Sequence, residues 1–431
     1  MRLIAVASLS LVAGQASAAP LTLEPVAING VQYEGLPGAI SATLPRSSIN
    51  NHGQWTATVI SSDTNGAGGR FILSNDGIRY DPRSPIELGP DLVIEPWGSA
   101  YLNSAINNLR QIVATARGPA FDAQGNPQGF RSVLLIDGVP IVQTGDVTPF
   151  GFTYPDDFHS SRPVLNDLGT LLANFELGFS PIPQYDTLLR FDPEDGGGYS
   201  SSVVAAPGLP FPDGSSIDSL SAVNRGSFDL NNNGDTVFTA VLARSGESNR
   251  AAIVLNGEIV AESGSTDLFP AASMNVSSKF ASINDNGDFA FYGSISSDDW
   301  DGFRLAVVKN NDEVVWIDDG SNEQLIGYSI GTFQDSLLVS DIGDVFWQTD
   351  IYDSIGARYS AFFQNDQLLA TSDPTIDGVL HIDGLFRTQV SDNGEWAIFD
   401  TQDGVFRAQI PSPASAVVLG LGVLPALRRR R

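Results

Sequence analysis

The chain has no cysteine, only two lysines, three histidines and two methionines among 431 residues. Without cysteine it can form neither disulfides nor thiolate-based zinc or redox centres, so an exported chain of this kind must rely on its core. His52, His159 and His381 are scattered, which argues against a histidine-built metal site. Basic residues are scarce as well. Asp and Glu number 50 against 23 Lys and Arg, for a net charge of −27, and Arg2 and the four terminal arginines are part of that 23. A body this acidic, with Lys279 and Lys309 as its lysines, is not built to neutralise phosphates, so nucleic acid is excluded as a partner. No apolar run reaches the 18 or more residues expected of a standard membrane helix, and helical periodicity is absent.

What is present is turns and short strands. Hydrophobic residues make up 42%, with 43 glycines and 25 prolines, a composition that suits a sizeable core of short strands. The organising stretch is Ser282-Ile283-Asn284-Asp285-Asn286-Gly287-Asp288-Phe289-Ala290-Phe291. Asn and Asp bond their own backbone and tolerate left-handed dihedrals, and Gly allows positive φ, so a tight turn feeds an aromatic strand. Ile283 before the turn anchors the incoming chain.

Seven copies align. Their second positions are Asn50, Asn107, Asn166, Asn231, Asn284, Ser340 and Ser391, each preceded by an aliphatic residue, at spacings of 57, 59, 65, 53, 56 and 51. The glycine three residues later fails once, at Arg110, in the most degenerate copy. Between the copies sit the hairpin dipeptides Asp76-Gly77, Asp137-Gly138, Asp195-Gly196, Asn256-Gly257, Asn311-Asp312 and Asn365-Asp366. Each repeat therefore reads as about four strands. The seventh repeat lacks its second hairpin, and residues 25–33, around Asn29-Gly30, carry an unpaired one. An incomplete repeat at one end and its missing piece at the other predict ring closure, which removes open sheet edges. The expected fold is an all-β seven-bladed β-propeller over residues 20–410, closed by the N-terminal hairpin.

Few motifs carry chemistry. Asp229, Asn231, Asn233 and Asp235 place oxygens as at the start of a calcium loop, which makes calcium the one candidate cofactor; Ala240 stands where a helix-loop-helix site needs a bidentate Glu. The plainer reading is that these four residues are simply turn formers, and in other copies the first position is Ser48, Ser282 or Gln389. The loop acids Asp298, Asp299 and Asp301 flank Trp300, a pattern that can bind or hydrolyse sugar but more often marks a solvated loop. Asp156-Asp157 and Asp318-Asp319 are adjacent pairs whose members face opposite sides of a strand. Gly327-Tyr328-Ser329-Ile330-Gly331 matches a nucleophile elbow without the following helix or a base. Asn65-Gly66-Ala67-Gly68-Gly69 is glycine-rich without a phosphate-loop lysine. No catalytic residue is assigned. Aromatics after the turns, such as Trp55, Phe238, Phe291, Trp347 and Trp396, read as core between blades.

The two ends speak to destination. Residues 1–19 run from Arg2 through an apolar stretch to Ala16-Ser17-Ala18-Ala19, the form of a secretory signal helix cleaved near Ala18 or Ala19. Residues 411–431 start with Pro411-Ser412-Pro413, continue as a short apolar helix and finish in Arg428, Arg429, Arg430 and Arg431. This order of proline motif, hydrophobic helix and basic end resembles the PEP-CTERM sorting signal of bacterial surface proteins. The resemblance implies recognition by an exosortase-like membrane protease, transient inner-membrane contact, and display at or release from the cell surface, often alongside extracellular polysaccharide. Ser412 replaces the acidic residue of that motif. Asn284, Gly287, Ala290 and Phe291 also resemble the Asn-x-x-Gly-x-x-Ala-Phe repeats of surface proteins with interchangeable anchors. Together these features lead to the expectation of a non-catalytic binding or matrix module. An extracytoplasmic polysaccharide-acting enzyme using Asp298, Asp299 or Asp301 is the alternative, and a structural surface-layer component the third reading.

Overall fold

The computed structural model describes residues 21–411 apart from residues 67, 90, 96–100, 152, 156, 157, 159, 180, 181, 221–226, 265–271, 298–302, 311 and 312. The expected signal, and the tail from Ser412 onward, lie outside the described residues. So do Asp156, Asp157, His159, Asp298, Asp299, Asp301 and the Asn311-Asp312 turn.

Seven separate sheets form, one for each repeat. Blade 5 shows the pattern: Ala272–Ile283, Phe289–Ser297, Phe303–Lys309 and Glu313–Ile317 pair in order as an antiparallel meander. The turn motif joins the first strand to the second. The hairpin dipeptides join the third to the fourth, where Asn256 and Gly257 adopt φ of 50° and 82°, as a tight hairpin turn requires.

The first strands meet around one axis. Ser48–Ile49 touches Tyr101–Ile106, which touches Ser160–Leu165, and contact passes on through Phe228–Leu230, Ala272–Ile283, Ser329–Val339 and Leu385–Val390 back to Ser48–Ile49. That unbroken circuit makes the molecule an all-β seven-bladed β-propeller.

The core follows from the strand period. Side chains of successive residues point to opposite faces of a sheet, and here both faces are covered by neighbouring blades. Val237 packs toward blade 5 while Phe238 packs within the cluster shared with blade 3. Phe289 and Phe291 face blade 4, and Ala290 and Tyr292 face blade 6. Seven such clusters fill the seven gaps between blades, which explains continuous apolar runs such as Val133-Leu134-Leu135-Ile136. Trp347 stacks on Phe363 at 4.1 Å between ring centroids and is fully buried, as are Phe238 and Phe291, whereas Trp55 and Trp396 are half-buried against the cluster between blades 7 and 1.

Two expectations need correction. The ring closes with one strand, not a hairpin: Glu24–Ile28 pairs with Gly404–Gln409, and the chain then turns at Gly30 into blade 1. One strand suffices because blade 7 already contains Leu385–Val390, Trp396–Thr401 and Gly404–Gln409. Blades also depart from four strands. In blades 1, 2 and 4 the first strand is interrupted, with both pieces bonded to the second; blade 2 adds Ile86–Gly89 outside it, and in blade 6 Leu380–His381 pairs in parallel with the fourth strand.

Candidate functional site

The seven turns converge at one end of the axis, and local chemistry shapes each of them. The Asn231 carboxamide oxygen accepts the backbone N–H groups of Asn233 at 3.0 Å and Asp235 at 2.8 Å, and the Gly234 N–H closes the turn onto the Asn231 carbonyl. The last turn position needs positive φ, and Arg110 supplies it at 66° where the other six copies have Gly. The degenerate copy is therefore intact in shape. All seven preceding aliphatics, Ile49, Ile106, Leu165, Leu230, Ile283, Val339 and Val390, are buried.

Two hydrogen-bonded belts tie the turns together. In the first, the carboxamide nitrogens of Asn50, Asn107, Asn166, Asn231 and Asn284 each donate to the backbone carbonyl at the same position of the next blade, at 2.8–2.9 Å. In the second, the backbone N–H of the following residue donates to its counterpart's side-chain oxygen. This series runs Asn51 to Asn108, Asp167, Asn232, Asp285 and Asp341 at 2.7–3.2 Å. Asp341 N–H then donates to the Asp392 carbonyl and Asn393 N–H to Asn51 Oδ1, which closes the belt.

This arrangement gathers carboxylates on the axis. Asp392 is ringed by protein yet reached by water at the channel mouth, and its carboxyl is raised to about 8 by burial and by Asp229, Asp341, Asp167 and Asp285. Asp341 is raised too, by burial and by Asp285 and Asp167, against the lowering effect of its hydrogen bond from Asp285. Below the belts lies an axial cavity of about 210 Å³ to which the first strand of every blade contributes. Ser48, Asn103, Ser104, Gln389, Arg46 and Arg387 give its walls polar groups. Arg387 Nη1 donates to the Pro45 carbonyl at 3.2 Å, and Arg46 Nη1 donates to Asn103 Oδ1. Burial and the like charges of Arg387 and Arg70 hold the Arg46 guanidinium below its usual pKa.

The residues singled out for calcium are placed in other roles. Asp229 Oδ2 accepts from the Ser282 hydroxyl and the Ile283 N–H of the next blade. Asn231 belongs to the first belt, Asn233 Nδ2 donates to the Asp285 carbonyl, and Asp235 accepts from Asn256 and Asn231. Among the described residues no group of three or more His, Asp or Glu is arranged to hold a metal ion. Ser329 begins the strand Ser329–Val339, not a helix. His381 pairs with Asp383 at 2.8 Å on the surface, and His52 is exposed at its turn. The adjacent acids diverge: Asp318 is raised by burial, while hydrogen bonds from Ser321 lower Asp319. Among the described residues no helix is long and apolar enough to cross a membrane. The axial residues escaped the single-stretch reading because they lie more than fifty positions apart. Their signal is a column, since the residue after each slot is always Asn or Asp.

No curated protein sequence matches the chain. Solved structures similar to it include the Dos1 propeller, at 11% identity and a TM-score of 0.38 over 90% of this chain and 95% of that one. A chain from the mitotic checkpoint complex reaches 9% identity and a TM-score of 0.36, covering 95% of this chain and 99% of that one. A protein of unknown function from Dyadobacter fermentans reaches 13% and 0.32, over 90% and 99%. At these scores the fold rests on the strand circuit itself. Residues 139–329, under half of the chain, match a family of unknown function (DUF7453).

Proposed function

We propose that this protein is a non-catalytic binding module exported by a bacterium and displayed at, or released from, the cell surface. The observation that carries the binding role is the axial cavity, rimmed by two hydrogen-bonded belts, lined by all seven blades and given polar side chains by blades 1, 2, 4, 6 and 7. A rigid ring around a small polar cavity can hold a ligand without any moving part. Export is supported by the signal-like residues 1–19, and surface sorting by an exosortase-like protease is supported by the Pro411-to-Arg431 tail. Extracellular polysaccharide or another surface protein is the partner class that this location supplies.

The test is incubation of the full-length chain with a panel of polysaccharides, scoring retained protein and released sugars together. Retention without products is the expected result. Released products would overturn the binding reading and direct attention to Asp298, Asp299 and Asp301. No retention on any of them would leave a structural surface-layer role ahead.

A further inference from the structure

The axial cavity has a chemical polarity that the binding reading does not specify. Its turn end is acidic, with Asp229 and Asp392 in the lining, while Arg46 and Arg387 stand further down the same wall. Both arginines occupy one repeat position, four residues before the turn slot, where the other blades have Asn103, Arg162, Ser227, Phe280 and Ser336. Three arginines in seven equivalent positions is a concentration that a chain with 23 basic residues in 431 would not give by composition. Arg387 is 9% exposed and braces Pro45, so its guanidinium is fixed in place. Arg46 holds Asn103 through Nη1, is exposed overall, and is close enough to Arg387 and Arg70 to feel both charges. Asp400 is the nearby carboxylate. It accepts the Ser47 hydroxyl and lines an adjoining cavity of about 340 Å³ that shares Pro45 and Arg387 with the channel.

We propose that the Arg46–Arg387 end of the axial cavity binds the carboxylate of a small sugar acid, with Ser48, Asn103 and Ser104 meeting its hydroxyls. This deepens the binding-module reading and rests on it. A guanidinium is planar and matches a carboxylate in two-point contact, and two of them oppose each other less once an anion lies between. The cavity volume of about 210 Å³ is below the ~300–1,000 Å³ of pockets for drug-sized ligands, which fits a single sugar ring. Asp229 stands at the turn end and both arginines at the other, so the carboxylate is oriented toward the arginines and the hydroxyls toward the turns.

The experiment is calorimetric titration of the full-length chain with glucuronate, glucose and inorganic phosphate at matched ionic strength. Glucuronate is expected to bind at least tenfold more tightly than either of the others. Arg46→Gln and, separately, Arg387→Gln are expected to weaken it about tenfold, the scale of one charge-assisted contact. Arg83→Gln, at the surface, is expected to change nothing. Arg387→Gln removes a brace and can unfold the chain, so Arg46→Gln, checked by circular dichroism, carries the decision. Unchanged affinity in a folded Arg46→Gln variant overturns the site, and an equal response to phosphate overturns its assignment to a carboxylate. Polysaccharide retention that persists without any glucuronate binding sinks this inference alone; loss of both sinks the binding module as well.

Discussion

Replacing Asn166 tests the belts most directly, because its neighbour four residues on is Thr170, so its side-chain nitrogen bonds across to the next blade and not within its own turn. Asn166 is 5% exposed. Its oxygen accepts the N–H groups of Leu168 at 3.1 Å and Thr170 at 2.9 Å, and its nitrogen donates to the Asn231 carbonyl of blade 4 at 2.9 Å. Asn166→Ala removes all three bonds and leaves buried partners unsatisfied, at about 1 kcal/mol each, or ~3 kcal/mol in total. Asn166→Asp keeps both acceptor bonds, loses the inter-blade donor and adds a charge beside Asp167; measured in high salt, which screens that charge, the lost donor should cost about 1–2 kcal/mol. At roughly 2.1 cal/mol/K per residue, a cooperative unit of this size has an unfolding entropy near 0.8 kcal/mol/K. The melting temperature should therefore fall by about 4 °C for Ala and about 2 °C for Asp. Scanning calorimetry is the assay, since agreement of calorimetric and van't Hoff enthalpies shows whether the ring melts as one unit. An Asp variant as stable as the wild type would refute the inter-blade role. An Asp variant as damaged as Ala would mean that the turn's own two bonds contribute nothing.

Other expectations follow from single positions. Gly404 faces the closing strand at φ 144°, and a Cβ there would lie 2.3 Å from the Ala27 carbonyl. Gly404→Ala should release Glu24–Ile28 to limited proteolysis, whereas Gly287→Ala, with nothing within 4 Å of its Cβ, should cost only the left-handed penalty of about 1–2 kcal/mol. The folded pKa of Asp392, about 8, stands above the unfolded value of about 3.9, so the native state holds that proton more tightly. Its contribution to stability is then most favourable below about pH 4 and declines as pH rises through 8. Asp392→Asn should gain more over the wild type at pH 9 than at pH 5, and an equal difference at both would contradict the axial clustering. Because Asp229, Asn231, Asn233 and Asp235 already bond to protein, exchanging calcium for a chelator should shift the melting temperature by less than about 1 °C, the size expected without linked binding; a larger shift would restore the calcium loop.

The blades were legible because turn chemistry is local. An Asn that bonds its own backbone, a glycine at positive φ and a buried aliphatic before them need no distant partner to be recognised, and four of the seven copies keep all three cues while the other three each lose one. The closing strand was harder to read. Asn29-Gly30 is a hairpin dipeptide by sequence, but the strand before it, Glu24–Ile28, pairs with Gly404–Gln409 while the chain after it enters blade 1, so a local cue pointed to a hairpin where the partner lies far along the chain. The extra strand Ile86–Gly89 was hidden for a different reason: it is an insertion in one repeat, added outside Leu92–Ile94, with no counterpart among the described strands of the other blades.

The axis itself could have been read, but only down the columns of the repeat. Along the chain, Asp167, Asp285, Asp341 and Asp392 are isolated turn residues of no note. Ring closure turns one repeat position into one ring of side chains, so residues more than fifty positions apart become neighbours sharing a field. A residue that looks like a turn former in each copy is, in the four copies where it is Asp, also a charge sharing the axis with the other three. That is why Asp392 departs so far from ordinary carboxylates while nothing in its own stretch suggests it should. The same logic applies four residues earlier. Arg46 and Arg387 are far apart in sequence and equivalent in repeat, and closure of blade 7 against blade 1 sets them on one cavity wall. In a closed ring of repeats, chemistry is specified by position within the repeat, and motif searches along single stretches will pass over it.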